Sequence, residues 1–264
     1  MDLQLKSKTA FISGSTQGIG FAIARQLLLE GARVIINGRM QEKIDAAITK
    51  LKQEIPDAEV SGIAADFAKP EEVDRLLAAL PETDILINNV GIFELKAFSD
   101  IQDEDWTRFF EVNVMSGVRL SRALLPGMLA RNWGRIVFIS SESAVNIPAN
   151  MIHYGMTKTA MLAVSRGLAV LTKDTAVTVN TLLGGPTYSE GVAGAVEYLA
   201  GTQNRPTEEV KSDLVKAMNP TSLIQRFIEP SEIASLAVYL SSPLSVATNG
   251  SALRADGGVL NTIF

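Results

Sequence analysis

The chain has 264 residues, 47% of them hydrophobic and 20% charged, which is enough apolar content to bury one sizeable core, so a single domain over 1–264 is expected. A formal net charge of -5, with lysines and arginines scattered among acids, leaves no basic footprint for nucleic acid. Zero cysteines exclude disulfides and thiolate metal sites, and a single histidine argues against a histidine-based one, so no metal is expected. The opening residues Met1 to Lys6 lack the basic-then-apolar pattern of a secretory signal. The longest apolar candidate, 160–171, is broken by Ser165 and Arg166 and falls short of the ~20 residues of a membrane span. No membrane partner and a cytoplasmic location are expected by elimination.

Along the chain, short β-branched or apolar runs alternate with segments of helical period. A strand is predicted at 9–12 and a helix at 19–30, then a strand at 33–36 and a helix at 41–55. The pattern repeats with a strand at 60–63, a helix at 70–80, a strand at 85–87, a long helix at 104–131 and a strand at 135–139. A helix at 152–173 and a strand at 177–182 follow, and a helix at 230–240 and a strand at 251–254 close the series. This order predicts an α/β fold with a mostly parallel sheet covered by helices on both faces. The exception is 184–221, rich in Gly, Thr, Pro and Asn, with two short helical candidates at 192–200 and 207–218; an excursion of this kind is read as a lid.

The first predicted strand runs into Ser13-Gly14-Ser15-Thr16-Gln17-Gly18-Ile19-Gly20, which opens a helix. Glycines there let the backbone turn sharply and approach a pyrophosphate, whose charge the free N–H groups of a helix start favour. The spacing Gly-x-x-x-Gly-x-Gly differs from the general dinucleotide fingerprint, so a plain strand-to-helix turn stands as the alternative. The second strand ends Asn37-Gly38-Arg39, without the acid that would bind a ribose 2′-hydroxyl. Arg39 is read as a ligand of a 2′-phosphate, which favours NADP(H) with NAD(H) still possible. The alternatives for Arg39 are a solvated residue starting the next helix and a stack on an adenine ring.

Tyr154 and Lys158 are four apart on the predicted 152–173 helix, so they share a face, and Ser141 lies thirteen positions before Tyr154. A cation beside a phenol favours the phenolate and lowers its pKa from near ~10. A pair of this kind can move a proton. Ser141 alone could be a strand-end cap, as Ser140 and Ser143 could be.

Taken together, Gly14, Gly18 and Gly20, Asn88-Asn89-Val90-Gly91, Asn113, Ser141, Tyr154 and Lys158 resemble the short-chain dehydrogenase/reductase family, over nearly the whole chain from Lys8 to Gly258. The resemblance implies a Rossmann-type doubly wound sheet of about seven parallel strands, a homotetramer or homodimer, a small-molecule carbonyl or alcohol substrate, and hydride transfer with nicotinamide. It implies Tyr154 as general acid/base, Lys158 holding the nicotinamide ribose, Ser141 holding the substrate oxygen, and Asn113 holding a water behind Lys158. The cofactor-binding set on the same basis is Gly14, Ser15, Thr16, Gln17, Gly18, Ile19 and Gly20, then Asn37, Gly38 and Arg39, Asp66 at the adenine edge with Phe67, Asn89, Val90 and Gly91, Tyr154 and Lys158, and Gly185, Thr187 and Ser189. Asn88 would support the central sheet, and Asp256-Gly257-Gly258 matches the family's ending. Three departures stand out: Gly184 replaces the usual proline and loosens the turn, Val90 replaces alanine, and Gln17 stands where many NADP-preferring relatives carry a basic residue.

Two other readings compete. A Ser-His-Asp hydrolase is excluded, because His153 is the only histidine, its neighbour Tyr154 cannot share its helix face, and no Gly-x-Ser-x-Gly elbow is present. A catalytically degenerate dinucleotide-binding regulatory or scaffold protein is the other, and the presence of Asn113, Ser141, Tyr154 and Lys158 argues against it. His153 is expected on the helix surface or in the wall of a substrate pocket with Tyr188, Val192 and Tyr198. Glu142 is either a substrate contact or a solvated acid, and Arg226 either binds a substrate anion or, as the favoured reading, pairs with Glu229 or Glu232. Trp106, Phe109, Phe110 and Val114, with the tail residues Val259, Leu260, Ile263 and Phe264, are either oligomer surface or core.

Overall fold

The computed structural model describes residues 1–263, so Phe264 of the apolar tail lies outside the described residues. The β-branched runs form seven strands: β1 (Thr9–Ile12), β2 (Arg33–Gly38), β3 (Val60–Ala64), β4 (Ile85–Asn88), β5 (Gly134–Ser141), β6 (Val177–Gly184) and β7 (Ala252–Ala255). They make one sheet in the order β3-β2-β1-β4-β5-β6-β7. All neighbouring pairs are parallel. The order reverses between β1 and β4, and in open α/β sheets a crevice opens outside the carboxyl ends of the strands at such a reversal.

Nine helices connect and cover the strands among the described residues: α1 (Gly18–Leu29), α2 (Gln41–Glu54), α3 (Pro70–Ala79), α4 (Asp103–Phe110), α5 (Ser116–Ala130), α6 (Ile152–Val170), α7 (Glu190–Gln203), α8 (Thr207–Met218) and α9 (Pro230–Ser241). Strand side chains alternate between faces, so Ile12 joins Ile23, Leu27, Ile44 and Ile233 under α1, α2 and α9, whereas Phe11 joins Val73, Leu120, Met128 and Met161 under α3, α5 and α6. This two-faced burial is why the strands read as near-continuous apolar runs.

The main departure from the predicted elements lies in 104–131. The expected single helix is divided into α4 and α5 by a π-turn at Glu111–Met115. A π-turn inserts one extra residue into a helix and is frequent at functional sites; this one carries Asn113. Strands β5 and β6 also run two residues further than predicted, and their last residues, Ser141 and Gly184, are register partners. No helix among the described residues is long and apolar enough to cross a membrane.

Candidate active site

The turn after β1 is shaped for close approach. Gly14 and Gly18 both adopt φ of +61°, a left-handed conformation that side chains disfavour. At Gly20 a Cβ would lie 2.6 Å from both the Gly14 oxygen and Asn89 Nδ2, so only glycine fits there. Asn37, grouped above with the cofactor residues, is buried: it accepts from the Gly14 N–H at 3.0 Å and donates to the Ile63 and Ala65 carbonyls at 3.0 and 3.4 Å. Its side chain therefore sets the shape of the turn and faces the protein. Asn89 does the same from the other side, donating to the oxygens of Ser13 at 3.1 Å and Gly14 at 2.8 Å. The Phe67 side chain is likewise placed in the core with Val73 and Leu76, leaving Asp66 as the half-buried member of that pair.

An anion already sits on this turn. Glu190, the first residue of α7 and 172 positions away in sequence, accepts the Gly18 N–H through Oε2 at 2.8 Å. The start of α1 thus holds a carboxylate where free N–H groups and the helix dipole favour negative charge. A turn closed to Cβ atoms and an anion position on the helix start fit the pyrophosphate of a nicotinamide dinucleotide. Ser15, Thr16, Gln17, Ile19, Ser189 and Gly185 lie in these same segments; Gly185 donates to the Ala255 carbonyl at 3.1 Å, and Thr187 Oγ1 donates to the Gly185 carbonyl at 2.8 Å. Gly38 packs against Thr16, and Arg39 beyond it is exposed with no ion-pair partner among the described residues.

The second group gathers at the ends of β4, β5 and β6. Lys158 is buried in α6 and donates through Nζ to the Ile139 carbonyl at 3.0 Å, with Nζ 5.6 Å from the centre of the Tyr154 ring. A Cβ at Gly91 would stand 3.3 Å from that Nζ, so the 89–91 segment spans from the glycine turn to the lysine. Asn113 spends both Nδ2 protons and one Oδ1 lone pair on the protein: Oδ1 accepts from Ile92 N–H at 2.7 Å, and Nδ2 donates to the Ile92 carbonyl and to Thr157 Oγ1, both at 3.0 Å. Ser141 caps the 3-10 turn Glu142–Ala144, accepting from the Ser143 N–H at 3.1 Å, and donates to Glu142 Oε2 at 2.5 Å.

Burial dominates the electrostatics here. It pushes the Tyr154 phenol above its ordinary value of 10, with the Ser141 hydroxyl pulling the other way and the Glu142 charge adding to the rise. It pushes Lys158 down to about 8, opposed by Glu142. The expected lowering of the phenol by the ammonium is therefore not found in this structure, because Nζ is turned to the Ile139 carbonyl and removal from water outweighs its field.

His153 corrects another expectation. It is fully buried, with its ring 4.1 Å from that of Phe109 and 6.1 Å from that of Trp106, so it belongs to the α4–α6 contact and to neither the surface nor a pocket wall. Both ring nitrogens lack hydrogen-bond partners among the described residues, and burial lowers its pKa. Phe109 and Val114, with Val259 and Leu260, are core, whereas Phe110 and Ile263 are exposed. Tyr198 is exposed on α7. Arg226 pairs with Glu232 through two contacts at 2.7 and 2.8 Å. Gly184 is held in the strand between Ser141 and Ala255, so the missing proline has not loosened it.

Three residues not singled out in the sequence also build the site. Ser13 Oγ accepts the N–H groups of Asn89 and Val90 at 3.0 and 3.1 Å. Thr157 anchors Asn113, and its place three residues after Tyr154 was a signal available on the helix. Glu190 had no local signal, since its partner is brought to it only by the fold.

The short chain dehydrogenase family model matches residues 8–198. The chain is 48% identical over 264 residues to the uncharacterised oxidoreductase YvaG of Bacillus subtilis (strain 168), covering all of both chains. It is 32% identical over 258 residues to D-beta-hydroxybutyrate dehydrogenase of Cupriavidus necator, covering 96% of this chain and 98% of the other. Among solved structures, L-sorbose reductase from Gluconobacter frateurii, complexed with NADPH and L-sorbose, superposes with a TM-score of 0.93 at 31% identity and full coverage of both chains. With the seven-stranded sheet, the glycine turn and the Ser141, Tyr154 and Lys158 corner, these matches establish that the chain belongs to the short-chain dehydrogenase/reductase family of oxidoreductases.

Proposed function

We propose that the chain is an NADP(H)-dependent oxidoreductase that interconverts a carbonyl and a secondary alcohol on a small molecule, with Tyr154 as the general acid/base. The observation that carries this reading is the convergence of Asn113, Ser141, Tyr154 and Lys158 beside the 89–91 segment that reaches from the glycine turn. Bound nicotinamide supplies or accepts the hydride. Tyr154 gives its proton to the substrate oxygen in reduction and takes it back in oxidation. A phenol held protonated by burial suits the first of these roles. Ser141 Oγ, turning its single proton from Glu142, holds the same oxygen and steadies the charge that develops on it. Lys158 holds the ribose and stabilises the phenolate left when the proton departs. Asn113 fixes the backbone at Ile92 and, with a water behind Lys158, links that lysine to solvent.

The cofactor is held by the 14–20 turn, Gly38 and Arg39, Asp66, the 89–91 backbone, Tyr154 and Lys158, and Gly185, Thr187 and Ser189. Arg39, exposed and unpaired at the end of β2 with no acid beside it, supports a 2′-phosphate and hence NADP(H) over NAD(H). The NADPH complex of the L-sorbose reductase supports the same choice. In this reading residues 1–264 form one catalytic domain, and the 184–221 segment with α7 and α8 is its substrate lid. The small cluster of Val196, Ala200 and Val210 that holds α7 to α8 apart from the main core supports a lid that moves as a unit. A homotetramer or homodimer is supported by the apolar cleft of Val118, Leu125, Leu129, Val164 and Leu168 between α5 and α6. A cytoplasmic location goes with a reductant drawn from the NADP(H) pool.

The test is NADPH oxidation with a panel of ketones, quinones and keto-sugars, together with dissociation constants for NADPH and NADH at one salt concentration. Turnover is expected, with Arg39→Ala weakening NADPH about tenfold and leaving NADH unchanged. Tight NADPH binding with no turnover across the panel would instead favour the regulatory-protein reading. Equal NADPH affinity in wild type and Arg39→Ala would remove the cofactor assignment.

A further inference from the structure

Glu142 is a carboxylate with no cation to pair with at a place where charge is costly. It follows Ser141 directly, at the carboxyl end of β5. Its Oε2 accepts from Ser141 Oγ at 2.5 Å and its Oε1 from Ser143 Oγ at 3.3 Å. It has no ion-pair partner among the described residues, and its charge is felt by both Tyr154 and Lys158. Burial raises its own pKa, and the hydroxyl of Ser141 works against that rise. A carboxylate held half out of water without an ion-pair partner costs stability, and such groups persist where a site uses them. The backbone N–H groups of Glu142 and Ser143 and the two serine hydroxyls favour its charged form, so an anion is held in place at the end of β5.

The geometry limits what that use can be. Ser141 Oγ carries one proton, given to Glu142 Oε2 in this structure, so when that proton turns to the reacting oxygen Oε2 loses its donor. Two acceptors beside one Oγ stand roughly 4–5 Å apart, which leaves Oε2 within reach of a group on the carbon next to the carbonyl. A hydroxyl there donates a charge-assisted hydrogen bond to the carboxylate. A substrate carboxylate at the same place is repelled, and a methyl gives Oε2 no donor to replace the Ser141 hydroxyl.

We infer that Glu142 is a specificity residue, which selects neutral ketones bearing a hydroxyl on the adjoining carbon and rejects keto acids. The inference rests on the proposed placing of the reacting oxygen at Ser141. Glu142 neither gives nor takes a proton in this role; it accepts a hydrogen bond from the substrate.

Three matched probes test it: 1-hydroxy-2-butanone, 3-pentanone, in which a methyl replaces the hydroxyl, and 2-oxobutanoate, in which a carboxylate replaces the hydroxymethyl group. Wild type, Glu142→Gln and Glu142→Ala are compared by kcat/KM with NADPH and by calorimetric binding of each probe to the enzyme–NADP+ complex. Unchanged NADP+ affinity confirms that a variant is intact, and Glu142→Gln keeps the volume of the side chain. Wild type is expected to prefer the hydroxy ketone over 3-pentanone by about tenfold and over 2-oxobutanoate by more. Both variants are expected to collapse these ratios, with 2-oxobutanoate gaining as the hydroxy ketone loses. Ratios within about twofold of wild type in both variants would overturn the inference. So would failure of the hydroxy ketone to bind the wild-type complex. Glu142-dependent binding without turnover of any probe would support the inference on Glu142 and refute the proposed catalysis.

Discussion

Where β5 and β6 end, two kinds of construction face each other. On the α6 side, the polar groups are tied to the protein by short contacts: Lys158 to Ile139, Asn113 to Ile92 and Thr157, and Ser141 to Ser143 and Glu142. On the α7 side, the helices rest on a small apolar cluster of their own, and Glu190 reaches across to Gly18 through one exposed hydrogen bond. The first arrangement holds geometry against thermal motion; the second can be undone by replacing one anion with another. Chemistry that needs angstrom-level placement suits the first and ligand exchange suits the second, which is how the proposed function divides them.

The largest expected effect tests the fixed side. Tyr154→Phe removes the proposed proton carrier and little else, so kcat should fall about a thousandfold while NADPH affinity measured by fluorescence stays within twofold. A comparable loss of affinity would mean that the phenol is part of the cofactor seat. Gly20→Ala probes the turn on which both sides depend. With a Cβ 2.6 Å from the Gly14 oxygen, the backbone must shift, and NADPH binding is expected to weaken at least tenfold in titration even where circular dichroism reports a folded chain.

Glu190→Gln addresses the loose side. If the pyrophosphate takes the α1 start as proposed, it competes there with the carboxylate, so removing the charge should tighten NADPH severalfold, an effect that shrinks as salt is raised. Unchanged or weaker binding would show that Glu190 does not have to leave. The smallest effect belongs to His153, buried with no hydrogen-bond partner on either nitrogen. Its surroundings include Glu94 and Asp105, which favour the charged ring, and Lys96 and Arg108, which disfavour it, but burial comes first and lowers its pKa below the ordinary 6.5. The unfolded chain therefore binds a proton below pH 6.5 before the folded one does, and stability is lost as pH falls through that range. His153→Leu should flatten this acid slope in chemical denaturation while leaving stability at pH 8 nearly unchanged.

Much of the scaffold could be read from the residues because local pattern and burial agree. All seven strands were found: the five inner ones are almost wholly buried and read as apolar runs, the half-exposed edge strands β3 and β7 stand out by their place in the alternation, and the glycine turn and the Tyr154 and Lys158 spacing are local signals. What could not be read depends on contacts between distant segments. Asn37 and Phe67 sit at positions expected to face the cofactor, yet the first is drawn inward by Gly14 and two strand carbonyls, and the second by Val73 and Leu76. The polarity of His153 suggested water, but the aromatic face of α4 covers it. The Glu190 contact joins residues 172 positions apart and leaves no mark on either local sequence.

The π-turn at Glu111–Met115 has one more consequence. A helix with such a bulge carries a residue more than its regular ladder requires, so positions before and after it are counted from different origins. Face-by-face comparison of this chain with any protein having an unbroken helix at that place slips by about 100° at Asn113. An editor of this sequence who shortened 111–115 by one residue would gain a more regular helix and turn Asn113 away from Ile92, exchanging a folding advantage for the loss of the contact that holds the neighbouring loop.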